Sequence, residues 1–523
     1  MVENNEIFVG SGASITFVPE NDIYIKQSGA ITDSATITLH GDMAHFSLVD
    51  DLYVACAVEH YNTSDVLQDT LRVKSNTATT LVLTKNITSS ANDYFILKGY
   101  GAPCPAPKSA VTPYPLRLLS DEWLGLVNTA TFPSSTIEMK EQNLFLGGSR
   151  NFTFAYKGIE TSDGGSLDIT ANHGAWLYYA LGLCSSISAT ALTTTGAGSN
   201  HATTAFSAAA ASAGKYIYDD GDGHITNGPL FYRVITDGSD YQICPPLLPT
   251  DAFATIDLLT IPTSTNLIEY TFTEANSANL PSFALERTFS KLNSSNTYAI
   301  EGETPETHNF VTIARGNRVN SLTISANENE EVKMAVELNT RAITSIPSTI
   351  NYEARRGVTD ETAFANYNRN NSFLEPFFFY DGSISMFSQE FLKITSLTLA
   401  INNNIVDKRY IGVSSREVKE GIPAQRFYEM TFTAQVTDDT LFTEFRNLTE
   451  EKATGTDPNK VGLIELTFSK SNGEQIVIKL DDYYVTANNW TIPEDLGAID
   501  VEATIKARTL NSCTVKTHWV LQG

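Results

Sequence analysis

Histidines and paired acidic residues are the side chains in this sequence that could act as catalytic acids and bases. The eight histidines contain no HExxH motif and no other paired spacing. His173 precedes a predicted helix, a position that suits a capping or interface role better than a general base. Glycosidase carboxylates must face each other across a cleft. Because the chain has 60 acidic residues, we interpret the adjacent pairs at 50–51, 330–331, 438–439 and 481–482 as solvated faces or helix starts, and predict a protein that is not an enzyme.

Sites for a phosphate, a metal ion or a cofactor are not indicated by the motifs. The chain has no G-x-S-x-G nucleophile elbow, no phosphate-binding loop and no dinucleotide fingerprint. The run at 219–223 alternates acids with glycine but lacks the other ligand positions of a calcium loop, so we interpret it as a turn. The five cysteines have no short spacing, which is typical of buried thiols. We therefore predict no metal and no cofactor.

Charge and composition limit the class of protein further. The 523 residues are 42% hydrophobic, enough for real cores, and the net charge is -25. Only 18% of residues are charged, against a typical value of about 25%. Since no basic stretch occurs, tight binding to a nucleic-acid backbone is not expected. No apolar run is long enough for a membrane helix, and the acidic start at 1–6 is unlike a secretory signal, so we expect a protein made in a cytoplasm without membrane insertion.

The pattern along the chain is rich in strands and predicts several units. Residues 1–24 contain a short strand that we assign as the first strand or arm of the larger domain that follows the small one. Residues 25–104 read as a small β-domain that ends in a proline- and glycine-rich stiff linker at 99–107. Residues 105–345 and 346–523 form two larger domains, and the Ser/Ala-rich segment 185–213 is predicted to be a mobile loop. Helices are expected at 175–181, ended by Gly182, and at 441–448.

A weak internal repeat relates the two larger domains. Residues 266–273 match 462–469 through a shared Leu-Ile-Glu-x-Thr-Phe sequence, and both segments alternate apolar with polar residues. Each is therefore predicted to be a strand with one buried face and one solvated face. The surrounding elements follow the same order in both halves. With so few helices, the sequence predicts an all-β protein of tandem antiparallel sandwiches or half-barrels, each with one flanking helix, beside the small extra β-domain.

Several segments resemble tail tube (major tail) proteins of tailed bacteriophages. They are found at 121–133, 146–152, 280–286 and 319–324. The resemblance covers most of 110–345 and, more loosely, 370–523. It implies a β-sandwich whose copies close into six-fold rings and stack into a hollow tube that the genome crosses, in a virion tail assembled in the host cytoplasm. If both halves are tube domains, three chains would form a pseudo-hexameric ring; a ring of six whole chains is the alternative.

The resemblance also suggests partners and surfaces. The partners would be further copies of the chain, tape measure and tail-end proteins, a sheath if the tail is contractile, and passing DNA that is not bound specifically. The small β-domain would decorate the outside. A channel lined by acidic and hydroxyl side chains would repel DNA and lower friction. The candidate residues for the channel lining, which could equally face outward, are Glu269, Thr271, Thr273, Glu465, Thr467 and Ser469.

Aromatic residues are the candidates for assembly contacts, because aromatic side chains dominate protein interfaces. They occur in two groups, and an ordinary core position is the alternative for each of them: Trp176, Tyr178 and Tyr179, and Phe377, Phe378 and Phe379.

Three other functions compete with the tube. A baseplate ring or head-surface protein would share the fold and the acidity but would not polymerise into long tubes. A carbohydrate-binding adhesin module would use polar β-domains with surface aromatics. A glycoside hydrolase would need two of the paired carboxylates in one cleft.

Overall fold

A computed structural model describes about three fifths of the sequence in detail. The residues it describes are 13–40, 48–105, 118, 125–142, 154–189, 192–194, 198–199, 216–218, 231–237, 240–244, 252–253, 257–259, 267–275, 280–290, 309–346, 352, 375–386, 389–390, 393–410, 418, 420–436, 464–492, 494 and 497–521.

Strands account for nearly all the regular structure of these residues. The first seven are β1 (Ala13–Pro19), β2 (Ile23–Lys26), β3 (Ile31–Thr38), β4 (Ala57–Tyr61), β5 (Leu67–Asn76), β6 (Thr80–Ser89) and β7 (Tyr94–Leu97). The middle of the chain contains β8 (Leu126–Thr131), β9 (Ser134–Gln142), β10 (Phe154–Asp163), β11 (Ser166–Thr170), helix α1 (Trp176–Leu181), β12 (Gly182–Ala189), β13 (Leu192–Thr194), β14 (Gly198–Ser199), β15 (Tyr216–Tyr218), β16 (Phe231–Asp237), β17 (Asp240–Cys244), β18 (Ala252–Phe253), β19 (Asp257–Leu259), β20 (Ile268–Glu274), β21 (Phe283–Ser290), β22 (Asn309–Asn327), β23 (Lys333–Asn339) and β24 (Ala342–Ser345). A 3-10 helix (Phe379–Asp381) then precedes β25 (Gly382–Met386), β26 (Gln389–Glu390), β27 (Ile394–Asn402), β28 (Val406–Lys408), β29 (Glu420–Ile422), β30 (Phe427–Gln435), β31 (Ile464–Ser469), β32 (Gln475–Thr491) and β33 (Asp500–Thr517).

The largest sheet has 16 strands and joins both halves of the chain. Its main order is β26-β25-β31-β32-β33-β30-β27-β22-β23-β11-β8, and β1, β12, β20, β21 and β24 branch from it. Two antiparallel pairs cross between the halves: β22 pairs with β27, and β20 pairs with β33. One hydrophobic core lies under all of these strands. The predicted all-β class, with curled antiparallel sheets and a half-barrel, is therefore confirmed, and the segments assigned to two tandem domains contribute to one shared sheet and core.

The small sheet contains β2 to β7 in the order β2-β7-β4-β5-β6-β3. It begins at Ile23, just before the predicted boundary at 25. Its core includes Val58, Leu83 and Phe95, and it continues into β22 through Ile313. The small sheet is therefore packed on the body of the protein along a shared apolar surface.

Helix α1 forms where the sequence predicts it. All six of its residues are buried, and it ends at Gly182, whose φ of 106° lies in the left-handed region that glycine adopts at little cost. His173 accepts a hydrogen bond from the backbone N–H of Ala175 at 3.2 Å through Nδ1, at the start of the helix. The second predicted helix, at 441–448, lies outside the described residues.

Two predicted irregular segments differ from the structure. The Ser/Ala-rich segment was expected to be a loop from residue 185, but β12 continues to Ala189 because it pairs along β20, and β13 and β14 follow. The predicted stiff linker at 99–107 is partly buried: Gly101 donates its N–H to the Glu20 carboxylate at 2.9 Å, and Cys104 is fully buried. Backbone hydrogen bonding and packing thus order both segments where they are described.

Candidate channel and assembly surfaces

The two repeated strands alternate as predicted. In β20, Ile268 and Phe272 are buried whereas Glu269 is exposed. In β31, Leu466 and Phe468 are buried and the residues between them are partly exposed. The apolar set of each strand packs in the shared core, which leaves the polar set facing solvent.

All six channel candidates lie on one face of one sheet. Strands β20 and β31 are separated by β33 and β32, and directly opposite residues of antiparallel strands share a face. One row across the four strands is Glu269, Lys516, Gln475 and Ser469, and the next is Thr271, Thr514, Val477 and Thr467. Thr273 and Glu465 follow on the same face by alternation. We call this surface, formed by the six candidates with Lys516, Thr514, Gln475, Val477 and Lys479, the polar sheet face.

Charge on the polar sheet face is balanced rather than acidic. Glu465 forms an ion pair with Lys479 across the ladder, with 3.0 Å between nitrogen and oxygen, and Glu269 lies opposite Lys516. Both glutamates therefore have a lysine on the neighbouring strand. The expectation that these glutamates make this surface anionic is not supported, because each negative charge is locally compensated.

The same solvent-facing side continues as a ladder of hydroxyl groups across β27, β30 and β33. Thr398, Thr431 and Thr504 are opposite one another, and the last two hydroxyl oxygens are 3.5 Å apart. Beside them, Lys506 and Glu429 form another cross-strand ion pair at 3.1 Å. Hydroxyls and paired charges thus cover a large polar surface without an excess of cations.

The aromatic residues of α1 are core residues. Trp176, Tyr178 and Tyr179 are 4%, 3% and 6% exposed, and Trp176 packs edge-to-face on Phe283 with ring centroids 5.6 Å apart. Their side chains already fill the space between the helix and the sheet. The prediction that they anchor an interface is therefore not supported, because in the single chain they leave almost no surface for a partner.

The second aromatic group changes from buried to exposed along its length. Phe377 is 1% exposed, and Phe378 and Phe379 are half-buried. The following residue, Tyr380, is 76% exposed and stacks on Phe378 at 5.2 Å. Phe377 is thus a core residue, whereas the end of this run reaches the surface.

A hairpin that the sequence analysis did not identify is the most exposed element. It consists of β9 and β10, which pair only with each other. Every residue of β9 is exposed, and β10 is exposed along most of its length. Large apolar side chains are exposed on both strands: Ile137, Met139, Phe154, Tyr156 and Ile159. The alternation of Ile137 and Met139 with charged residues was the available sequence signal, but alternation alone does not show that both of these apolar side chains are exposed.

A cluster of buried arginines joins the small sheet to the body. Arg341 donates to the carbonyl oxygens of Ala55 at 2.7 Å, Tyr100 at 2.5 Å and Val418 at 3.2 Å. Arg315 donates to the carbonyl of Val54 at 3.1 Å. Both arginines are 1% exposed. Because Val54, Ala55 and Tyr100 lie within or next to the small sheet, whereas the two arginines lie in the body, the arginines fix the orientation of the small sheet.

Glu20 supplies the carboxylate of this junction. Its two oxygens accept backbone N–H groups from Gly101 at 2.9 Å and Gly316 at 2.7 Å. Burial raises the pKa of Glu20, and these hydrogen bonds oppose that shift. Gly101 has a φ of 79°, and a Cβ there would lie 2.4 Å from Nη1 of Arg341. The junction therefore requires glycine at this position.

A second buried polar network ties the end of the chain to the β11–α1 connection. Lys470 Nζ lies 2.7 Å from Glu474 Oε2 and donates to the backbone carbonyl of Asn172 at 2.8 Å. His518 Nδ1 is bonded to the other oxygen of Glu474. Burial opposes ionisation of Glu474, but the hydrogen bond from His518 and the charge of Lys470 outweigh it and lower its pKa to about 2.

Within the described ranges, no group of three or more His, Cys, Asp or Glu side chains could hold a metal ion. The helix found among these residues is too short to cross a bilayer.

The described residues form an all-β fold with a broad polar sheet face and an exposed hairpin that carries apolar side chains. The family model described as phage tail tube protein matches residues 116–507, three quarters of the chain, and the chain belongs to this family. The family is that of a structural component of the virion tail. A search of curated proteins found no match.

Proposed function

We propose that this chain polymerises as stacked rings into the hollow tail tube that conducts DNA into the host, and that it has no enzymatic role. The observation that carries the proposal is the β9–β10 hairpin. An isolated two-stranded hairpin is at best marginally stable in water, and this one exposes apolar side chains on both strands. Contact with another copy of the chain would cover these side chains and order the hairpin.

We favour three chains in each ring. Six neighbouring strands, β12, β20, β33, β32, β31 and β25, present one continuous surface. At about 4.8 Å per strand, three chains would give a circumference of roughly 86 Å and a diameter of about 27 Å between strand backbones. A strand tilt of about 35–45° widens this diameter to roughly 34–39 Å, which leaves room for inward side chains and a duplex. Six chains would double the bore. The continuity of β20 and β31 in one sheet supports the pseudo-hexameric arrangement over six whole chains.

The polar sheet face is our candidate for the channel lining. Its lysines are matched by glutamates, so it offers DNA phosphates no cluster of free cations to hold them. Low friction would then come from neutrality and hydroxyl groups rather than from repulsion by acids. Tape measure and tail-end proteins would be its other partners, with a sheath in a contractile tail and the small sheet on the outside.

Electron microscopy of the purified, concentrated chain tests the function directly. We expect hollow tubes of stacked rings, and averaged end views with three-fold symmetry. Single rings that never stack would favour a baseplate or head-surface protein instead. Particles that stay monomeric at every concentration would contradict the proposal.

Charge reversal tests the channel face. The test variant carries both Glu269→Lys and Glu465→Lys. The summed charge of positions 269, 465, 479 and 516 then changes from 0 to +4 per chain. We expect tubes to assemble normally and DNA ejection from virions to slow several-fold, because each new phosphate contact adds favourable binding. The control is Lys479→Gln with Lys516→Gln, which should not slow ejection. Ejection of wild-type speed from the glutamate-to-lysine particles would exclude this face from the channel.

A further inference from the structure

An open apolar groove lies beside the start of β25. Its volume is about 160 Å³, and Phe379, Tyr380, Ile384, Ile394, Leu397 and Phe468 contribute to its lining. Tyr380 at its rim is largely exposed. An apolar cavity of roughly 150 Å³ can hold a benzene ring. The groove therefore has the size and the chemistry to receive one aromatic side chain.

The exposed hairpin carries a matching aromatic pair. Phe154 and Tyr156 lie on one face of β10, are 41% and 47% exposed, and have ring centroids 6.1 Å apart. Lys140 lies opposite Tyr156 on the same face. Two exposed rings at this spacing, beside a cation, form a protruding apolar knob.

The base of the hairpin and the groove segment lie at opposite ends of β11. The hairpin ends at Asp163, three residues before β11 begins at Ser166. Just past the other end of the strand, Ala171 accepts a hydrogen bond from the N–H of Phe377 at 2.8 Å, which places the groove segment there. A knob and a hole at different places on one subunit generate head-to-tail contacts, which propagate as an open stack where their rotation does not close a ring.

Charge is also complementary between the two surfaces. The exposed Glu375 and Glu331 and the half-buried Asp381 belong to the segments that form and adjoin the groove rim. Lys140 of the hairpin is exposed and forms an ion pair with Glu138 at 3.8 Å. Because exposed ion pairs contribute little free energy, Lys140 can leave Glu138 for another carboxylate at small cost. A cationic side chain beside the aromatic knob would thus meet an acidic rim.

We propose that the aromatic face of the β9–β10 hairpin docks in this groove of a second copy, with Phe154 or Tyr156 inserted and Lys140 facing the acidic rim. The inference rests on the proposed stacking function and names the surface that receives the hairpin. In the proposed tube, this contact joins copies of the chain in successive rings.

Photo-crosslinking tests the contact. The full chain with p-benzoylphenylalanine in place of Tyr156 is prepared with ¹⁴N and with ¹⁵N, the two are mixed before assembly, and the tubes are irradiated. We expect crosslinked peptides that pair the hairpin with residues 375–397 and contain both isotopes. Crosslinks of a single isotope composition would mean docking within one chain, and crosslinks only to other segments would mean another receptor surface; either overturns the inference.

Filling the groove provides a second test. Ile394→Phe places a ring in the groove, because Ile394 is half-buried in its lining, whereas the control Ile187→Phe enlarges a half-buried isoleucine outside the lining. We expect Ile394→Phe to keep the monomer's circular dichroism and melting temperature but to lower tube yield at least ten-fold, with Ile187→Phe near wild type. On the hairpin, Tyr156→Ser should lower the tube yield as much as the groove-filling variant does. Met139→Ser, on the opposite face of the hairpin, should lower the tube yield less.

The outcomes separate the two proposals. If the wild-type chain forms no tubes, the tail tube function itself fails. If the wild-type chain and the Ile394→Phe variant both form tubes in full yield, the function stands and the groove is not the receptor.

Discussion

Replacing Glu474 with glutamine is expected to lower the free energy of unfolding by about 3–5 kcal/mol, because it leaves Lys470 as an uncompensated buried charge. Lys470 and Glu474 have side chains only 2% and 0% exposed, so water cannot replace the lost partner. The hydrogen bond from His518 to Glu474 is weakened by the same change. Urea unfolding followed by circular dichroism would measure the loss.

The matched control lies in the same β31–β32 hairpin. Glu465→Gln removes a Glu–Lys pair whose side chains are 38% and 33% exposed. Exposed pairs contribute about 0–1 kcal/mol, so this variant should unfold close to wild type. Equal losses in both variants would mean that burial of the Lys470–Glu474 pair does not decide its contribution.

The same network should make the protein sensitive to acid. The pKa of Glu474 falls from 4.5 to about 2 on folding. A lowered carboxyl pKa contributes stability that is present above about pH 4.5 and is lost as the pH falls towards 2. Burial also lowers the pKa of His518, so protonation of the unfolded state begins to favour unfolding below about pH 6.5. The melting temperature should therefore fall as the pH is lowered from 7 to 3. Below pH 4.5, this fall should be shallower in Glu474→Gln than in the wild type.

Replacing Arg341 with methionine should release the small sheet from the body. The backbone carbonyls of Tyr100 and Val418 would lose the donor that Arg341 supplies inside the protein, and the carbonyl of Ala55 would keep Arg72 as its donor. Since each buried unsatisfied acceptor costs about 1–3 kcal/mol, we expect a loss of about 3 kcal/mol or more. Limited proteolysis should cut first in the segments around 55 and 100, and urea unfolding should give the magnitude.

An exposed arginine provides the comparison. Arg508 is 60% exposed and pairs with Asp482 at 3.2 Å, so Arg508→Met should cost less than about 1 kcal/mol. If Arg341→Met unfolds like Arg508→Met and is no more susceptible to protease, the arginine cluster does not hold the small sheet in place.

Local patterns determined the strands and their faces. In β20 and β31, period-2 alternation predicts which side chains are buried, because successive residues of a strand point to opposite sides whatever its neighbours are. Helix α1 follows similarly from an apolar run that ends at Gly182, since a left-handed residue stops a helix locally. The segments quoted for the tail tube resemblance were enough to identify the family.

The partners of those strands were decided only by the tertiary structure. Tyr270 pairs with Val515, about 245 residues away, and no local rule selects β33 over β21 as its neighbour. This pairing places β20 and β31 in one sheet and brings Lys516 and Lys479 opposite the two glutamates, which removes the expected acidity of the surface. Local sequence reveals that a glutamate is exposed but not which charge lies 5 Å away on the next strand.

The distinction between core and interface aromatics also needed the fold. Trp176 and Tyr380 belong to similar aromatic runs, yet one is buried under the sheet and the other is 76% exposed. The hairpin at β9 and β10 has an ordinary alternating sequence, and only the fold reveals that side chains on both of its strands are exposed. Alternation is a property of a few consecutive residues, whereas the residues that bury a strand come from elements that are distant in the chain. The sequence therefore determined the strands and the family, and the tertiary structure alone decided which surfaces remain exposed for assembly.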